Sequence, residues 1–399
     1  MRMPIDPDHG ADAAAGVVWV RHGTVQNPTP MIDMSLFLSG DVMLGRGIDQ
    51  ILSHPSQPRL HEPHVDSALD YVHLAEEARG RIPRHVDPAY VWGDALAVLH
   101  DRKPAARIIN LETAITRSSK PWPKGINYRM HPANVDCLTA AQIDCCVLAN
   151  NHVLDWGQDG LLETLATLRS AGVRTVGAGQ QAAEAAAPAA LPLANGGRLL
   201  VYGLASTTSG IPRDWAATDR RAGVNLLPDL SVQTAASLAE TARAARKPGD
   251  VLVASLHWGS NWGYDVPHAQ RTFAHALVDG GFTIVHGHSS HHAKGIELYR
   301  EGLILYGCGD FINDYEGISG NEEFRGDLAV MYLPVFDGTD FRLLSIEMVP
   351  MQIRRFRLNR PSSRDATWLY QALSRECAKL GTKVALRADG SFGIEAVRR

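Results

Sequence analysis

The stretch "DCCVLANNHVLDWG", residues 144–157, indicates both the fold and the place of the chemistry. Its apolar run from Cys145 to Ala149 is typical of a buried β-strand. Two amides and a histidine follow at once, and Asp155 comes three residues after the histidine. Next comes "GLLETLATLRSAG" (160–172), a helical pattern with its leucines on one face. The stretch therefore predicts a strand, a polar loop and a helix.

The same alternation of strand and helix extends over most of the chain. Strand-like runs occupy residues 35–40, 106–112, 143–149, 173–178, 199–205, 250–258, 282–287, 296–307 and 328–336, and helical patterns also cover 231–246 and 269–281. This alternation predicts an α/β domain with mainly parallel strands and helices on both faces. The late strands, with a turn at "YREGL" (299–303), predict an antiparallel portion. We expect a loosely attached extension over 1–33, one domain over 34–360, and a C-terminal helical appendage over 361–399 packed on that domain.

The bulk composition excludes several classes of protein. A hydrophobic content of 45% is ample for a large core, and a net charge of -4 gives no reason to expect a nucleic-acid partner. The five cysteines lack metal-type spacing and predict reduced core thiols. No apolar run approaches the ~18 residues of a membrane span, and the acidic N-terminus does not resemble a signal peptide. We therefore expect a cytoplasmic protein without a membrane partner, and the sequence leaves its oligomeric state open.

Polar side chains cluster where the predicted strands end. Each cluster alone is typical of a helix cap, a turn or a solvated loop. Ligands of open α/β sheets, however, bind beyond the carboxyl ends of strands, so clusters at five ends together predict one shared site. Carboxylate, amide and imidazole groups suit a divalent metal, and the absence of metal-type cysteine spacing argues against structural zinc. The clusters are "LSGDVMLGR" (38–46), "INLET" (109–113), "LANNHVLD" (148–155), "SLHWGSNWG" (255–263) and "VHGHSSHH" with "GCGDFIND" (285–292 and 307–314).

At these residues the chain resembles the CapA-like poly-γ-glutamate capsule-synthesis family of the calcineurin-like metallophosphoesterase superfamily. The resemblance runs from about Leu36 to about Asp314, and "ANNHVLDWG" (149–157) is its most specific piece. It implies a calcineurin-like four-layer α-β-β-α sandwich with the metal centre at strand ends. It also implies that His152 assists a leaving group. The positions that match the family's metal ligands are Asp41, Glu112, Asn151, His257, His288 and His291.

Several positions depart from the pattern of dinuclear phosphoesterases. The usual Asp-x-His has Met43 as its third residue, and a thioether is a poor ligand for a hard cation. Glu112 replaces an aspartate, and Asn261 stands where capsule-type relatives often have glutamate. Val153 occupies the place of the acid in the usual Gly-Asn-His-Asp, with the acid displaced to Asp155, and Asp310 is an additional carboxylate. Fewer imidazoles and more carboxylates favour a single oxygen-loving ion. We expect Ca²⁺, with Mg²⁺ or Mn²⁺ as alternatives, and no organic cofactor.

Among CapA-like proteins the chain is similar to the lasso-peptide epimerases. This resemblance implies a metal-dependent isomerase that inverts the Cα of a C-terminal residue, Trp by preference, in a ribosomal precursor peptide. The C-terminus of that peptide is then the expected partner. Epimerisation needs two acid–base groups on opposite faces of the carbon, and His/Asp pairs suit this role. We expect His152 and His291 as the bases, with His257 and His288 as rivals, and the acids Asp41, Asp155 and Asp310 as their partners. The alternatives are a metal-dependent phosphoesterase and a capsule poly-γ-glutamate biosynthesis protein, with or without catalysis.

Substrate contacts are predicted in two loops. The loop "RSSKPWPKGINYRMHP" (117–132) offers Lys120, Lys124 and Arg129, which can capture a carboxylate. Trp258 and Trp262, beside His257, can line a pocket for a large side chain. The loop is equally consistent with a solvated turn, and the two tryptophans with core positions.

Overall fold

The computed structural model describes residues 33–194 and 196–395, so the predicted extension over 1–33 lies almost entirely outside the described residues. The described residues form a mixed α/β structure. The helices are α1 Arg46–Ile51, α2 Ala68–Arg79, α3 Ala95–Arg102, α4 Asp136–Ala140, α5 Gly157–Ser170, α6 Ala182–Ala186, α7 Val232–Ala245, α8 His268–Asp279 and α9 Ser363–Ala378.

The strands of the first half are β1 Met34–Ser35, β2 Phe37–Val42, β3 Arg107–Leu111, β4 Ala114–Ile115, β5 Arg129–Met130, β6 Cys145–Val147, β7 Arg174–Val176, β8 Ala178–Gly179, β9 Ala189–Pro192 and β10 Arg198–Ala205. Those of the second half are β11 Gly223–Val224, β12 Val251–His257, β13 Ile284–His288, β14 Ile296–Tyr299, β15 Gly302–Leu305, β16 Asp310–Ile312, β17 Leu328–Phe336, β18 Leu343–Ile353, β19 Leu358–Asn359, β20 Ala385–Leu386 and β21 Phe392–Glu395.

Two large sheets organise these strands. The first has the order β20-β21-β18-β17-β2-β3-β6-β7, and β1, β16 and β19 pair with it at the side. Strands β2, β3, β6 and β7 are parallel, whereas β17, β18 and β21 are antiparallel. The second sheet has the order β14-β15-β13-β12-β10-β9, with antiparallel strands at both edges. Strands β2 and β12 are buried along their whole length, as strands covered on both faces are.

The second sheet separates two hydrophobic cores. Along β10, Leu199 and Val201 join the large core that the first sheet lines, whereas Leu200 and Tyr202 face the other way. The second core is closed by apolar side chains of α7 and α8, among them Phe273. Because alternate residues of a strand point to opposite faces, the second sheet lies between the first sheet and a helical layer.

The predicted elements match the structure best where the pattern is strongest. Strand β17 has the predicted bounds, 328–336, and the predicted turn at 299–303 joins β14 to β15. Helix α5 begins three residues before the predicted pattern, and Gly172, at φ +75°, follows its end. The long strand β18 was not predicted.

The C-terminal segment is more than a helical appendage. Leu369 and Leu373 of α9 pack into the large core, and the thiol of Cys377 accepts a hydrogen bond from the backbone N–H of Ile296 at 3.2 Å. After the helix, β20 and β21 extend the first sheet through β18. Among the described residues, no helix is both long and apolar enough to cross a membrane.

Candidate metal centre

The carboxyl ends of strands from both sheets converge on one buried centre. The first sheet supplies Asp41 at the end of β2 and Glu112 just after β3, and Asp310 in β16 lies directly opposite Asp41. The second sheet supplies His257 and His288, which end β12 and β13 and are paired in register. All five side chains are buried. The predicted shared site at strand ends is therefore present as a geometric cluster.

Two asparagine amides align the acids of the centre. Nδ2 of Asn110 donates to Oδ1 of Asp41 at 2.8 Å and to Oε2 of Glu112 at 3.0 Å. Nδ2 of Asn150 in turn donates to Oδ1 of Asn110 at 3.0 Å. Oδ1 of Asn150 accepts the backbone N–H of His152 at 3.1 Å, which fixes the turn after β6. The first amide of "ANNH" thus holds the frame, and it is Asn151 that reaches the centre.

The carboxyl groups of the centre are buried close together, where a bound cation would offset their negative charge. Burial raises the pKa of Asp41 to about 7, and the nearby carboxylate of Asp310 adds to the rise. Burial and the adjacent Asp41 likewise raise the pKa of Glu112 well above its ordinary value. Oδ2 of Asp41 is buried and has no hydrogen-bond donor among the described residues. Such closely spaced buried carboxylates need either a proton or a cation between them.

A chain of hydrogen bonds fixes the tautomer of His288. The backbone carbonyl of Ser39 accepts from Nε2 of His286 at 2.9 Å, so Nδ1 of this neutral ring accepts from the hydroxyl of Ser255, also at 2.9 Å. With its proton engaged, the Ser255 oxygen accepts from Nε2 of His288 at 3.0 Å. Burial lowers the pKa of His288 well below its ordinary value, so the ring is neutral and its Nδ1 carries a lone pair.

That lone pair faces a second one. Nδ1 of His288 lies 2.8 Å from Nδ1 of His257, and the other nitrogen of His257 donates to Oδ1 of Asn151 at 3.1 Å. Burial also lowers the pKa of His257, which is therefore neutral. Two lone pairs at this distance repel each other unless a cation lies near both. The two nitrogens and a carboxylate oxygen of Asp41 lie within 4.8 Å of one another, as ligands of one ion can.

A second set of donors shares Asp41. It comprises Asp41, His291 and Asp310, again with ligand atoms within 4.8 Å of one another. Nδ1 of His291 donates to Oδ1 of Asp310 at 2.8 Å, and Oδ2 of Asp310 accepts from Asn313. Burial alone would lower the pKa of His291, but the carboxylate of Asp310 outweighs it and raises the pKa. His291 and Asp310 form the first of two histidine–acid pairs at the centre.

The second pair is His152 with Asp155. Nδ1 of His152 donates to Oδ2 of Asp155 at 2.7 Å, and Oδ1 of Asp155 forms an ion pair with Nζ of Lys124 at 2.6 Å. Burial lowers the pKa of His152 to about 4 although Asp155 opposes the shift, so the ring is neutral near pH 7. Nε2 then carries the lone pair and lies 3.9 Å from Oε1 of Glu112. The unprotonated nitrogen of His152 thus lies beside an acid of the centre.

Sequence reasoning missed the group that supports both pairs. Tyr128 and Tyr315 share a hydrogen bond of 2.8 Å between their hydroxyls. The ring of Tyr128 lies edge-on to His152 at 4.3 Å, and that of Tyr315 lies edge-on to His291 at 5.4 Å. The buried guanidinium of Arg46 lies over both tyrosine rings. Arg46 stands in the motif "GDVMLGR", but nothing in the sequence links it to the tyrosines.

Met43 belongs to this tyrosine support and not to the donor sets. Its sulfur accepts a hydrogen bond from the hydroxyl of Tyr315 at 3.5 Å. In the described residues, neither set of candidate ligands includes it. The thioether therefore packs at the position where the Asp-x-His pattern has an imidazole.

The predicted substrate contacts are distributed over three environments. Lys124 is 23% exposed at the rim of the centre, and Trp262 lies beside His291 with their rings 5.2 Å apart. Lys120 is 81% exposed and forms a surface ion pair with Asp159. Trp258 is not at the centre; it is buried in the second core, where it stacks on Tyr306.

Arg129 lies outside the centre as well. Its guanidinium stacks on the ring of Trp156 at 4.1 Å and donates to the backbone carbonyls of Ser118 and Gln57. Of the basic residues predicted in the loop 117–132, Lys124 alone contacts a side chain of the centre among the described residues.

The fold and the site define an α/β protein with a candidate metal centre built from strand ends. The chain belongs to the family described as bacterial capsule synthesis protein PGA_cap, whose family model matches residues 35–315. The predicted CapA-like family is thereby confirmed.

Relatives agree with this assignment. The chain is 45% identical over 363 residues to a probable polyglutamine synthesis accessory protein of Mycobacterium tuberculosis, which covers 90% of this chain and 96% of the relative. It is 25% identical to the PGA biosynthesis protein CapA of Bacillus subtilis (70% of this chain, 63% of the relative) and 23% identical to the capsule biosynthesis protein CapA of Bacillus anthracis (87% and 74%).

Among solved structures, the chain is similar to a sulfate thiohydrolase SoxB of a Thermus species, described as "Termus thermophilus", in complex with glycerol. The sequence identity is 11%, the TM-score is 0.37, and the match covers 86% of this chain and 60% of that one. A likeness of this strength carries no argument about the chemistry.

The relatives' names favour the capsule-biosynthesis alternative over the peptide epimerase predicted first, which none of them supports. The cytoplasmic location, the peptide partner and the identity of the ion stay predictions.

Proposed function

We propose that this protein is a metal-dependent enzyme that acts on an anionic amino-acid polymer during capsule-type polyglutamate synthesis. The relatives named for polyglutamine, PGA and capsule biosynthesis support the process, and the buried centre supports catalysis within it. We assign the two packed sheets to the calcineurin-like α-β-β-α arrangement that the sequence resembles. The reaction class we infer is cleavage or transfer at an acyl bond of the polymer.

The facing nitrogens of His257 and His288 carry this proposal. Together with the unpartnered oxygen of Asp41, they provide three donors whose arrangement fits a divalent cation. Two imidazoles suit a transition ion better than the Ca²⁺ expected from the sequence, since Ca²⁺ prefers oxygen ligands. An ion bound there would supply Lewis acidity toward an acyl or phosphoryl oxygen.

The chain's own residues would accept protons and neutralise charge at the centre. Nε2 of His152 carries a lone pair toward the centre and can accept a proton from an attacking water or hydroxyl. Asp155 holds the tautomer, and Lys124 neutralises Asp155. Lys124 is also the cation at the rim, where it can attract the carboxylates of an anionic polymer.

Metal content tests the centre. Purified protein is exposed in turn to Zn²⁺, Mn²⁺, Mg²⁺ and Ca²⁺, desalted and analysed by mass spectrometry. We expect stoichiometric Zn²⁺ or Mn²⁺ in the parent, and loss of it in Asp41→Asn and His257→Ala. His268→Ala, an exposed histidine at the start of α8, is the matched control and should retain the metal. Equal retention by all the variants, or retention of Ca²⁺ alone, would contradict the proposal.

The length of a poly-γ-glutamate substrate tests the proposed reaction. Metal-loaded protein is incubated with poly-γ-glutamate, and the polymer length is followed by gel electrophoresis. We expect metal-dependent shortening or transfer that His152→Ala lowers by about 10²–10⁴-fold, the usual worth of a general base. Turnover of an aryl phosphate without any effect on the polymer would favour the phosphoesterase alternative.

One observation favours a second candidate, the peptide epimerase. Two histidine–acid pairs, His152 with Asp155 and His291 with Asp310, border the same centre. Inversion at carbon uses two such groups, one to remove and one to return a proton. Incubation of a Trp-ended peptide in D₂O would show a mass gain of about one dalton at the C-terminal residue if this reaction occurs. Absence of exchange with the metal-loaded protein would exclude it for that peptide.

A further inference from the structure

We infer that an arginine-rich hairpin outside the metal centre is a docking surface for the anionic polymer, an inference that rests on the polymer named in the proposed function. The segment "RRFRLNRPSSR", residues 354–364, contains five arginines and no acid, although the whole chain has a net charge of -4. Its first part is the turn that joins β18 to β19, and we call residues 354–360 the arginine hairpin. The exposed arginines of the segment are Arg354, Arg355, Arg360 and Arg364.

The turn of the arginine hairpin has an unusual backbone that the rest of the chain holds in place. Arg355 has φ +59° and Phe356 has φ +55°, a left-handed conformation that favours asparagine or glycine. The two oxygens of Glu316 accept the backbone N–H groups of Arg355 and Phe356, each at 2.7 Å. Phe356 is fully buried in the large core. The turn is therefore fixed from below, and Arg355 is exposed at its tip.

One buried acid faces the first arginine of the hairpin. Burial raises the pKa of Glu316, and the N–H groups of the turn and the charges of Arg79 and Arg354 oppose the rise. Both oxygens of this carboxylate are already occupied by the turn. Within residues 33–194 and 196–395, neither Arg79 nor Arg354 has a carboxylate at ion-pair distance. Glu316 thus offsets part of their charge without pairing with either side chain.

A second acid, Asp94, lies at the other end of the hairpin. Its carboxylate is 3.7 Å from a nitrogen of Arg357 and accepts the backbone N–H of Arg360 at 2.8 Å. In the part of the chain that the structure describes, the side chains of Arg355 and Arg360 have no carboxylate at ion-pair distance. This surface therefore carries more positive than negative charge, which favours an anionic partner. Glu316 and Asp94 face Arg79, Arg354, Arg355, Arg357 and Arg360.

The side chains of the hairpin favour one class of anionic partner. Its large apolar residues, Phe356 and Leu358, are buried. The hairpin therefore offers no aromatic ring on which a nucleic-acid base could stack, and no large apolar side chain that could enter a membrane. The repeated carboxylates of a polymer can instead pair with successive guanidinium groups. The surface thus fits an acidic amino-acid polymer better than a nucleic acid or a lipid surface.

The hairpin is attached to the segment that borders the metal centre. Glu316, which holds the turn, directly follows Tyr315, and the ring of Tyr315 lies edge-on to His291 at 5.4 Å. On the other side, a Cβ at Gly47 of α1 would lie 3.1 Å from Cζ of Phe356. A polymer bound by the arginines is thus tethered next to the elements that support the centre, which raises its local concentration there.

Fluorescence anisotropy with a short, fluorescein-labelled poly-γ-glutamate tests the inference. All proteins are metal-loaded and carry His152→Ala, so that any cleavage of the probe is slow. Arg354→Gln combined with Arg355→Asn removes two charges, and asparagine suits the left-handed turn. We expect this hairpin variant to weaken binding about five- to tenfold, the worth of two exposed charge pairs, and the difference to shrink at high salt. The control, Arg243→Gln with Lys247→Gln, removes two exposed cations in and just after α7 and should bind like the parent.

Kinetics separate docking from catalysis. With His152 restored, the hairpin variant should raise KM for the polymer much more than it changes kcat. Binding that the hairpin variant weakens, without any shortening of the polymer, would contradict the function proposed above but support the docking surface. Three results would overturn the inference. They are an absence of saturable binding, an equal loss in the α7 control, and displacement of the polymer by an RNA oligonucleotide or by anionic phospholipid vesicles at lower concentration than by unlabelled polymer.

Discussion

Removing one partner of the buried ion pair between Arg46 and Asp314 should lower the free energy of unfolding more than removing both partners. Asp314 is fully buried and accepts three hydrogen bonds, two from Arg46 at 3.1 and 2.6 Å and one from the backbone N–H of Gly47 at 2.9 Å. Asp314→Leu leaves the buried guanidinium with one acid, Glu62. Removing one partner of a buried pair typically lowers the free energy of unfolding by about 3–5 kcal/mol.

The double variant Arg46→Met with Asp314→Leu should be more stable than Asp314→Leu alone. The double variant removes both charges. The backbone N–H of Gly47 then lacks its acceptor, and Glu62 lacks Arg46 but still accepts the hydroxyl of Tyr71. Together these losses should lower the free energy of unfolding by about 1–3 kcal/mol. The difference between the two variants is then about 2 kcal/mol in favour of the double variant.

Equilibrium unfolding in urea, followed by fluorescence and circular dichroism, measures these free energies. The exposed pair Lys120 and Asp159 is the control cycle, and its coupling should be under about 1 kcal/mol. A loss below about 1 kcal/mol in Asp314→Leu, or a double variant less stable than Asp314→Leu, would refute the reasoning.

Three further predictions concern pH, packing and metal. The hydrogen bonds from Arg198 lower the pKa of Asp250, so its stabilisation is present above about pH 4 and is lost as the pH falls further. Asp250→Asn should therefore lower the free energy of unfolding by about 1–3 kcal/mol at pH 7, and it should weaken the pH dependence of that free energy below about pH 4. Trp258→Ala should lose about 3–5 kcal/mol and keep its metal, whereas Trp262→Ala should lose under about 1 kcal/mol. Zn²⁺ or Mn²⁺ at about 100 times its Kd should raise the unfolding free energy by about 2.7 kcal/mol in the parent and not in Asp41→Asn, and equal stabilisation of both would place the ion elsewhere.

The sequence predicted the sheet and the place of the site because both follow from local pattern. Apolar runs identify strands, and parallel pairing brings the polar residues at the ends of neighbouring strands together, as it does for Asp41 and Glu112 in the first sheet. His257 ends a strand of the second sheet, and its approach to the two acids depends on the packing of the two sheets. Strand β18 was not predicted, and in the structure its antiparallel pairing with β17 places Pro350 opposite Val330. Trp258 was misplaced because a tryptophan beside a catalytic-type histidine has no local signal for the direction in which its ring points.

What the sequence could not supply is the pairing of side chains from distant elements. Arg46 and Asp314 are 268 positions apart, and neither carries a mark of its partner. The tautomer of His288 depends on a path through Ser255 and His286 to a carbonyl of the other sheet, at Ser39. Burial decides the charge of each ring, and burial at the centre exists only once both sheets are packed. The stretch "ANNHVLDWG" illustrates this difference: its polarity predicts a site, but only the structure shows that Asn150 holds the framework, whereas His152 pairs with Asp155. The identity of the ion could not be predicted for the same reason. The facing lone pairs of His257 and His288 favour a transition metal, but the sequence does not show how the two rings are oriented.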